Sequence, residues 1–279
     1  MGRGRRSQLT SALGAVISLL SCCAGSGSRT RRHRNIVVFY GRMASNNVIT
    51  IDGGAHTGKS TAAQRLAAQL GWDWVSTGAF YRGLACVADA AGIAPDDEAA
   101  LVGLIGSQEF QVVLTAEATR FESKGRDLTG EIFTPRIGDL TPRISRLPGV
   151  RAGLLQAQRD LIRGRRGLVV EGRDCGTVVF PDALLKFWFI VSDEAAGARW
   201  AKSHQSTLPE ALEHIRERNR RDAGRATAQM KPASDAITVD TSDLDPDAVR
   251  KLLIHHCQQA GLVSLFTASQ SANAFSTIL

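Results

Sequence analysis

The stretch "ITIDGGAHTGKST", residues 49–61, decides the fold of this 279-residue chain. Apolar residues lead into a glycine-rich turn, and the letters "GKST" then open an alanine-rich run. Gly53-x-x-x-x-Gly58-Lys59-Ser60 fits the P-loop pattern without a gap. The sequence predicts a buried strand before this loop and a helix after it, which is the context that the pattern requires.

A P-loop needs these residue types because each has a separate task. Glycines let the backbone turn so that several N–H groups point inward at phosphate oxygens, and the N-terminus of the following helix adds positive charge. Lys59 is expected to bridge the β- and γ-phosphates of ATP, and the Ser60 hydroxyl to ligate Mg²⁺. His56 is interpreted as an exposed loop side chain. The predicted ATP-binding residues are Gly53, Gly54, Ala55, His56, Thr57, Gly58, Lys59, Ser60 and Thr61.

The overall composition is that of an ordinary globular protein, with 43% hydrophobic and 22% charged residues. The formal net charge of +7 is misleading, because residues 1–42 contain eight arginines and no acidic residue, which leaves 7 − 8 = −1 for the rest. We therefore expect no nucleic-acid partner. No apolar run approaches the roughly 18 residues that span a bilayer, so we expect no membrane span.

Residues 1–42 differ from everything after them. A basic start, an apolar stretch and small residues resemble a secretory signal, and "LLSC" resembles a lipoprotein cleavage site at Cys22. The absence of acidic residues is also typical of an organelle transit peptide, and translation from Met43 is a further alternative. The need for ATP argues against export. The scattered cysteines show no zinc or disulfide spacing, which favours a reducing compartment, and we expect the cytoplasm.

Strand and helix patterns alternate from residue 47 onward, which predicts a parallel sheet with helices on both faces. Residues 110–130 instead indicate a small β insertion, and residues after 262 a tail. The predicted strands are 48–52, 72–77, 167–174, 185–192 and 236–240. The predicted helices are 60–70, 78–91, 98–105, 150–162, 193 to about 225, and 245–260. Ligands of such sheets bind at the carboxyl ends of the strands.

Four motifs give the chain a specific resemblance. They are the P-loop beginning "IDGG", "STGAFYR" (76–82), "GRDCGTVVFPDA" (172–183) and "RNRRDAGR" (218–225). In order and approximate spacing the chain is similar to bacterial-type cytidylate kinases, which are P-loop nucleoside monophosphate kinases. The resemblance covers about residues 47–260. It implies a kinase domain over residues 43–262, with the insertion at about 107–145 in the acceptor-binding region and a helical lid at about 193–225.

The resemblance implies transfer of the ATP γ-phosphate to CMP or dCMP by a monomeric enzyme with Mg²⁺. By position in the motifs, the implied catalytic residues are Lys59, Arg173, Arg218 and Arg225. The implied acceptor-binding residues are Thr77, Tyr81, Arg82, Arg151, Arg173, Asp174, Arg218 and Asp222. Two anionic phosphates must approach each other, and bidentate arginines cancel their repulsion.

Some positions depart from the family pattern and leave alternatives open. Ser76 replaces a usual Asp, Phe133 an Arg, and Pro142 stands near a serine that contacts cytosine, so Thr141 is a candidate substitute. In the lid, Arg199 is the remaining arginine candidate. One alternative is a P-loop kinase that acts on another nucleoside monophosphate or small acceptor. A second alternative is a nucleotide-binding module without turnover.

Overall fold

The computed structural model describes residues 47–114, 119–223 and 230–262, without the side chains of residues 221–223. Its centre is a parallel sheet in the order β2-β6-β1-β7-β8, which confirms the predicted parallel sheet. The strands of this sheet are β1 (Val48–Gly53), β2 (Asp73–Ser76), β6 (Leu168–Gly172), β7 (Leu185–Ile190) and β8 (Ile237–Asp240). Each predicted strand is present, and Thr77 lies in the following helix.

Helices cover both faces of the sheet, as the sequence predicts. The helices are α1 (Lys59–Leu70), α2 (Thr77–Ala90), α3 (Glu98–Ile105), α4 (Pro135–Ser145), α5 (Pro148–Asp160), α6 (Asp193–His204), α7 (Leu208–Ala223) and α8 (Pro246–Gln259). Among them, within the described ranges, none is long and apolar enough to cross a membrane.

The helix layers on the two faces of the sheet pack against alternating side chains of the strands. In β1, Val48 packs into a core with α2 and α5, whereas Ile49 and Ile51 pack into a second core with α1 and α8. Both faces are therefore buried, which explains why the strands are nearly continuous apolar runs.

The predicted β insertion is a three-stranded antiparallel sheet of β3 (Gln111–Leu114), β4 (Thr119–Ser123) and β5 (Arg126–Asp127). The insertion packs onto α2 through Phe121, whose ring lies 5.7 Å from that of Phe80. A Cβ atom at Gly83 would lie 2.4 Å from Phe121, so only glycine permits this approach. A 3₁₀ turn at Glu131–Phe133 and α4 follow. Helix α4 was not predicted, because Gly138 and Pro142 disguise its helical pattern.

The segment from 193 to about 225, predicted to be helical, consists of two helices, α6 and α7, rather than one. The chain turns between α6 and α7, where Gln205 adopts a left-handed conformation with a φ of 53°. The Glu210 carboxylate then accepts hydrogen bonds from the Thr207 N–H at 3.0 Å and the Ser206 hydroxyl at 2.6 Å. This capping pattern of Ser or Thr followed three residues later by Glu was the sequence signal for a new helix start. Part of the predicted lid segment, residues 224–225, lies outside the described residues.

Candidate active site

The P-loop joins β1 to α1 with the backbone conformations that its glycines allow. Gly53 has a φ of 151°, and a Cβ atom there would lie 2.3 Å from the carbonyl oxygen of Phe189 in β7. Gly58 has a φ of 85°, in the left-handed region that favours glycine. Lys59 is only 5% exposed, and its Nζ donates to Thr57 Oγ1 at 3.1 Å and to the Gly54 carbonyl oxygen. The lysine ammonium group therefore lies inside the loop.

Positive charge is concentrated around this lysine. Burial, followed by the positive charges of Arg173 and Arg218, lowers the pKa of Lys59 to about 7. The carboxylate of Glu171 acts in the opposite direction. Cations that destabilise one another in this way are stabilised by an anion placed among them. The structure thus places three of the four predicted catalytic residues in one cluster of positive charge, while Arg225 lies outside the described residues.

Glu171 is a residue of this site that the sequence reasoning did not single out. It lies at the end of β6, is 5% exposed, and its Oε1 accepts a hydrogen bond from Ser60 Oγ at 3.1 Å. Carboxylate and hydroxyl oxygens are hard ligands that suit Mg²⁺, which keeps several waters and substrate oxygens. Among the described residues, no group of three or more His, Cys, Asp or Glu side chains is placed to hold a metal ion, so a cation would need such additional ligands.

His56 is not the exposed loop side chain that was expected. It has a φ of 56°, which is left-handed and costly for a residue other than glycine, and it is half-buried. Its Nε2 is enclosed and has no hydrogen-bond partner in the part of the chain that the structure describes. Burial, followed by the charges of Arg218 and His214, lowers the pKa of His56 to about 4, so the ring is neutral at pH 7.

A cavity of about 100 Å³ lies between α2, α5 and the segment after β6. Four predicted acceptor-binding residues line it: Thr77, Tyr81, Arg151 and Asp174. Gln158, which the sequence reasoning missed, is also in the lining and is 3% exposed. A buried amide three turns along an amphipathic helix looks like any core-facing position in sequence, so no local signal identified it.

Two of the residues that line this cavity form an ion pair. Arg151 donates to Asp174 Oδ2 at 2.8 Å, and the guanidinium lies 5.6 Å from the centre of the Tyr81 ring. The side chains of Arg151 and Asp174 are 16% and 13% exposed, so the pair is largely withdrawn from water. This arrangement offers a fixed cation and an acidic acceptor side by side.

Comparison with known proteins assigns the chain to a family. A family model described as cytidylate kinase matches residues 49–259. The chain belongs to the cytidylate kinase family. A cytidylate kinase from Bdellovibrio bacteriovorus is 40% identical over 75% of this chain and 96% of that protein. One from Pseudomonas paraeruginosa is 41% identical over 77% of this chain and 96% of that protein.

A solved gluconokinase from Sinorhizobium meliloti is a more remote likeness. It is 15% identical, with a TM-score of 0.41, and the match covers 77% of this chain and 94% of that chain. So low a similarity says nothing about the substrate of this cytidylate kinase family member.

Two of the predicted acceptor-binding residues of this cytidylate kinase chain make mainly structural contacts. Thr77 Oγ1 donates to the Glu171 carbonyl oxygen at 3.1 Å, which ties α2 to β6. Arg82 donates to the Ile132 carbonyl oxygen at 3.0 Å and lies 5.7 Å from the centre of the Phe133 ring, outside the lining of the cavity. Its acceptor-binding role remains a prediction from the motif.

The lid helices reach the P-loop. Arg199 in α6 donates to the Thr241 hydroxyl at 3.2 Å and to the His56 carbonyl oxygen at 3.4 Å. This predicted lid arginine therefore ties the P-loop to the turn after β8. In α7, Arg218 is half-buried and acts electrostatically on Lys59. The side chain of the predicted residue Asp222 lies outside the described residues.

Proposed function

We propose that this chain transfers the γ-phosphate of ATP to CMP and dCMP. The observation that carries the proposal is the proximity of two cations suited to phosphate, Lys59 and Arg173, at the carboxyl edge of neighbouring strands. Lys59 follows β1, Arg173 follows β6, and each strand is paired in register with the other, Asp52 opposite Gly172. Membership of the cytidylate kinase family supports the choice of acceptor.

The P-loop is the proposed donor site. The N–H groups of the loop and the start of α1 would bind the ATP phosphates, and Lys59 would lie against the β- and γ-phosphates. An anion in this position raises the pKa of the lysine, so ATP binding favours the charged form that transfer needs. Neutral His56 adds a donor or acceptor at the loop without adding another positive charge.

The cavity beside Arg151 and Asp174 is the proposed acceptor site. Arg173 would hold the acceptor phosphate toward the donor site, and Arg151 would contribute a second positive charge. The Asp174 carboxylate can accept from the exocyclic amine of cytosine. Asp222, Arg225 and Arg82 keep their motif-based roles as proposals.

Transfer would occur by in-line attack of a CMP phosphate oxygen on the γ-phosphorus of ATP. That oxygen is already ionised, so no general base is needed. Lys59, Arg173 and Arg218 would stabilise the charge that spreads over the transferred group, which is the main task of an enzyme in this reaction. Mg²⁺, held by Ser60 and Glu171 with oxygens of the nucleotide, would neutralise part of the phosphate charge.

A different acceptor is a second candidate, and one observation favours it. The Thr141 hydroxyl, the expected substitute for a cytosine-contacting serine, donates to the Ile137 carbonyl oxygen at 2.6 Å within α4. The hydroxyl proton therefore forms a hydrogen bond within the helix and is not available to a ligand. Phe133, which replaces the usual arginine, is 67% exposed. Thr141 can then contact a base only as an acceptor, and Phe133 offers no guanidinium, so both positions differ from the family pattern and keep another nucleoside monophosphate open as the acceptor.

A coupled ADP-release assay on the full chain tests the proposal. The panel is CMP, dCMP, UMP, AMP, GMP and no acceptor, each with ATP and Mg²⁺. ADP release with CMP and dCMP far above the other acceptors supports the cytidylate assignment. ADP release with another acceptor alone supports the second candidate, and ATP binding without turnover supports a non-catalytic module.

Three variants separate the roles within that assay. Arg173→Ala should reduce kcat by about 100-fold or more while ATP binding survives, because a preorganised phosphate contact is lost. Lys59→Ala should impair ATP use with every acceptor. Arg163→Ala is the matched control, because Arg163 is 75% exposed and pairs with Asp160 one helical turn away. Its turnover should equal that of the unmodified chain.

We also propose the organisation and setting of the enzyme. The kinase domain would comprise residues 43–262, with residues 1–42 and 263–279 outside it, and the enzyme would be a cytoplasmic monomer. Sedimentation of the full chain and fractionation of cells that produce it would test these two statements.

A further inference from the structure

Asp52 is a buried carboxylate at the start of the P-loop that the proposed chemistry does not use. It lies in β1, immediately before Gly53, and is 5% exposed. Its Oδ1 accepts a hydrogen bond from the Cys175 N–H at 2.9 Å, and its Oδ2 accepts one from the Gly176 N–H at 2.7 Å. One side chain thus satisfies the first two N–H groups of the helical turn Cys175–Val179, which follows β6.

The turn fits closely against β1. A Cβ atom at Gly176 would lie 2.8 Å from Thr50 Oγ1, so glycine is required for this approach. The turn closes on itself, because the Val178 N–H donates to the Asp174 carbonyl oxygen at 2.8 Å. Asp52 holds the first residues of the turn, and the bond to Asp174 closes it. A shift of Cys175 and Gly176 would therefore also shift the residues that come directly before them.

Those preceding residues are the ones that would hold the acceptor. Arg173 and Asp174 come directly before the turn, and Val178 and Val179 of the turn line the acceptor cavity. Asp52 itself is covalently continuous with the P-loop. A single side chain therefore joins the segment that would bind the donor to the segment that would bind the acceptor.

We propose that Asp52 is a positioning residue that fixes the acceptor-binding turn relative to the P-loop. This inference rests on the proposed function, because it assigns Asp52 to the alignment of acceptor with donor. Asp52 would act through the turn and touch neither nucleotide. Its negative charge also favours the charged form of Lys59, but this is a smaller effect than burial and Arg173. Burial raises the pKa of Asp52, while the two N–H donors oppose that rise.

The test is Asp52→Asn, which keeps the shape of the side chain. An asparagine can accept from one N–H with its oxygen, but its NH₂ group faces the other N–H as a second donor. The turn should therefore shift or loosen. We expect the KM for CMP to rise about tenfold or more, since one buried hydrogen bond is lost and a donor is left unsatisfied. The dissociation constant of ATP should change by less than about threefold.

A control separates positioning from loss of stability. Val249→Ala in α8 removes methyl groups from the second core, on the other face of the sheet from the acceptor cavity. It should lower the unfolding temperature while the KM for CMP stays unchanged. Amide hydrogen exchange then reports on the turn without any assay of turnover. The Cys175 and Gly176 amides should exchange at least about tenfold faster in Asp52→Asn than in Val249→Ala.

The outcomes are distinct. An unchanged KM for CMP, with exchange at both amides equal to that of the control, overturns the proposal. A loss of ATP affinity with an unchanged KM for CMP also overturns it, because Asp52 would then act through Lys59. If the unmodified chain does not phosphorylate CMP, the proposed function fails. The positioning role is then measured on the KM of the acceptor that is used and on amide exchange.

Discussion

The Arg151–Asp174 ion pair is a largely buried pair of opposite charges in the lining of the acceptor cavity. At 2.8 Å, with side chains 16% and 13% exposed, it is intermediate between a surface pair and a fully desolvated one. We predict that replacing either partner destabilises the folded chain, and that replacing both costs less than the sum. Arg151→Met leaves a largely buried carboxylate, and Asp174→Asn leaves a largely buried guanidinium.

The magnitude follows from the class of interaction. Exposed ion pairs contribute about 0.2–1 kcal/mol, whereas hydrogen bonds to charged groups withdrawn from water contribute about 1.5–3 kcal/mol. We therefore expect a coupling free energy of about 1.5–3 kcal/mol between Arg151 and Asp174. Arg151→Met also removes the proposed charged contact with the acceptor phosphate, which belongs to the same class of about 1.5–3 kcal/mol, so the affinity for CMP should fall by about 10- to 100-fold.

Urea unfolding of the two single variants and the double variant gives the coupling energy directly. The Arg143–Asp96 pair is the matched control, because it is longer, at 3.3 Å, and its side chains are 47% and 59% exposed. Its coupling energy should be below about 1 kcal/mol. Equal coupling energies for the two pairs would refute the reasoning that burial gives the cavity pair its strength.

Three further predictions concern the donor side. The pKa of Lys59 is about 7 without an anion and higher with one. The affinity for ATP should therefore fall by about tenfold per pH unit above pH 7, measured in binding titrations from pH 6 to 9. An affinity that does not change with pH would contradict this prediction. Glu171→Gln keeps a hydrogen-bond acceptor for Ser60 but removes the charge, so the Mg²⁺ concentration for half-maximal rate should rise about tenfold, while an unchanged value would exclude Glu171 as a ligand. Arg199→Ala removes the bonds from α6 to His56 and Thr241, so the KM for ATP should rise severalfold with an unchanged KM for CMP; a change confined to CMP would count against this.

The sequence predicted the elements whose signals are local. Glycine spacing located the P-loop, because the left-handed φ at Gly58 is a property of one residue. The strand patterns located all five strands of the parallel sheet, since buried strands are continuous apolar runs. The break in the lid at Gln205 was missed, although Thr207, Pro209 and Glu210 are local signals of a new helix start.

The site was predicted in part. Thr77, Tyr81, Arg151 and Asp174 were identified by motif, and the structure places all four around one cavity. The same motifs did not indicate that the Thr77 hydroxyl would donate a hydrogen bond to the Glu171 carbonyl oxygen, because these two residues are 94 positions apart. Hydrogen-bond partners at such separations depend on how the segments pack.

By itself, the sequence determined the P-loop, the parallel sheet and the residue types at the phosphate-binding edge. These depend on backbone freedom, apolar periodicity and charge, which neighbouring residues establish. The tertiary structure alone decided that Glu171 meets Ser60, that His56 is enclosed and that Asp52 holds the turn after β6. Asp52 and Cys175 are 123 positions apart. The physical reason is that strand register and close packing bring such distant groups to hydrogen-bonding distance, and a linear pattern contains neither.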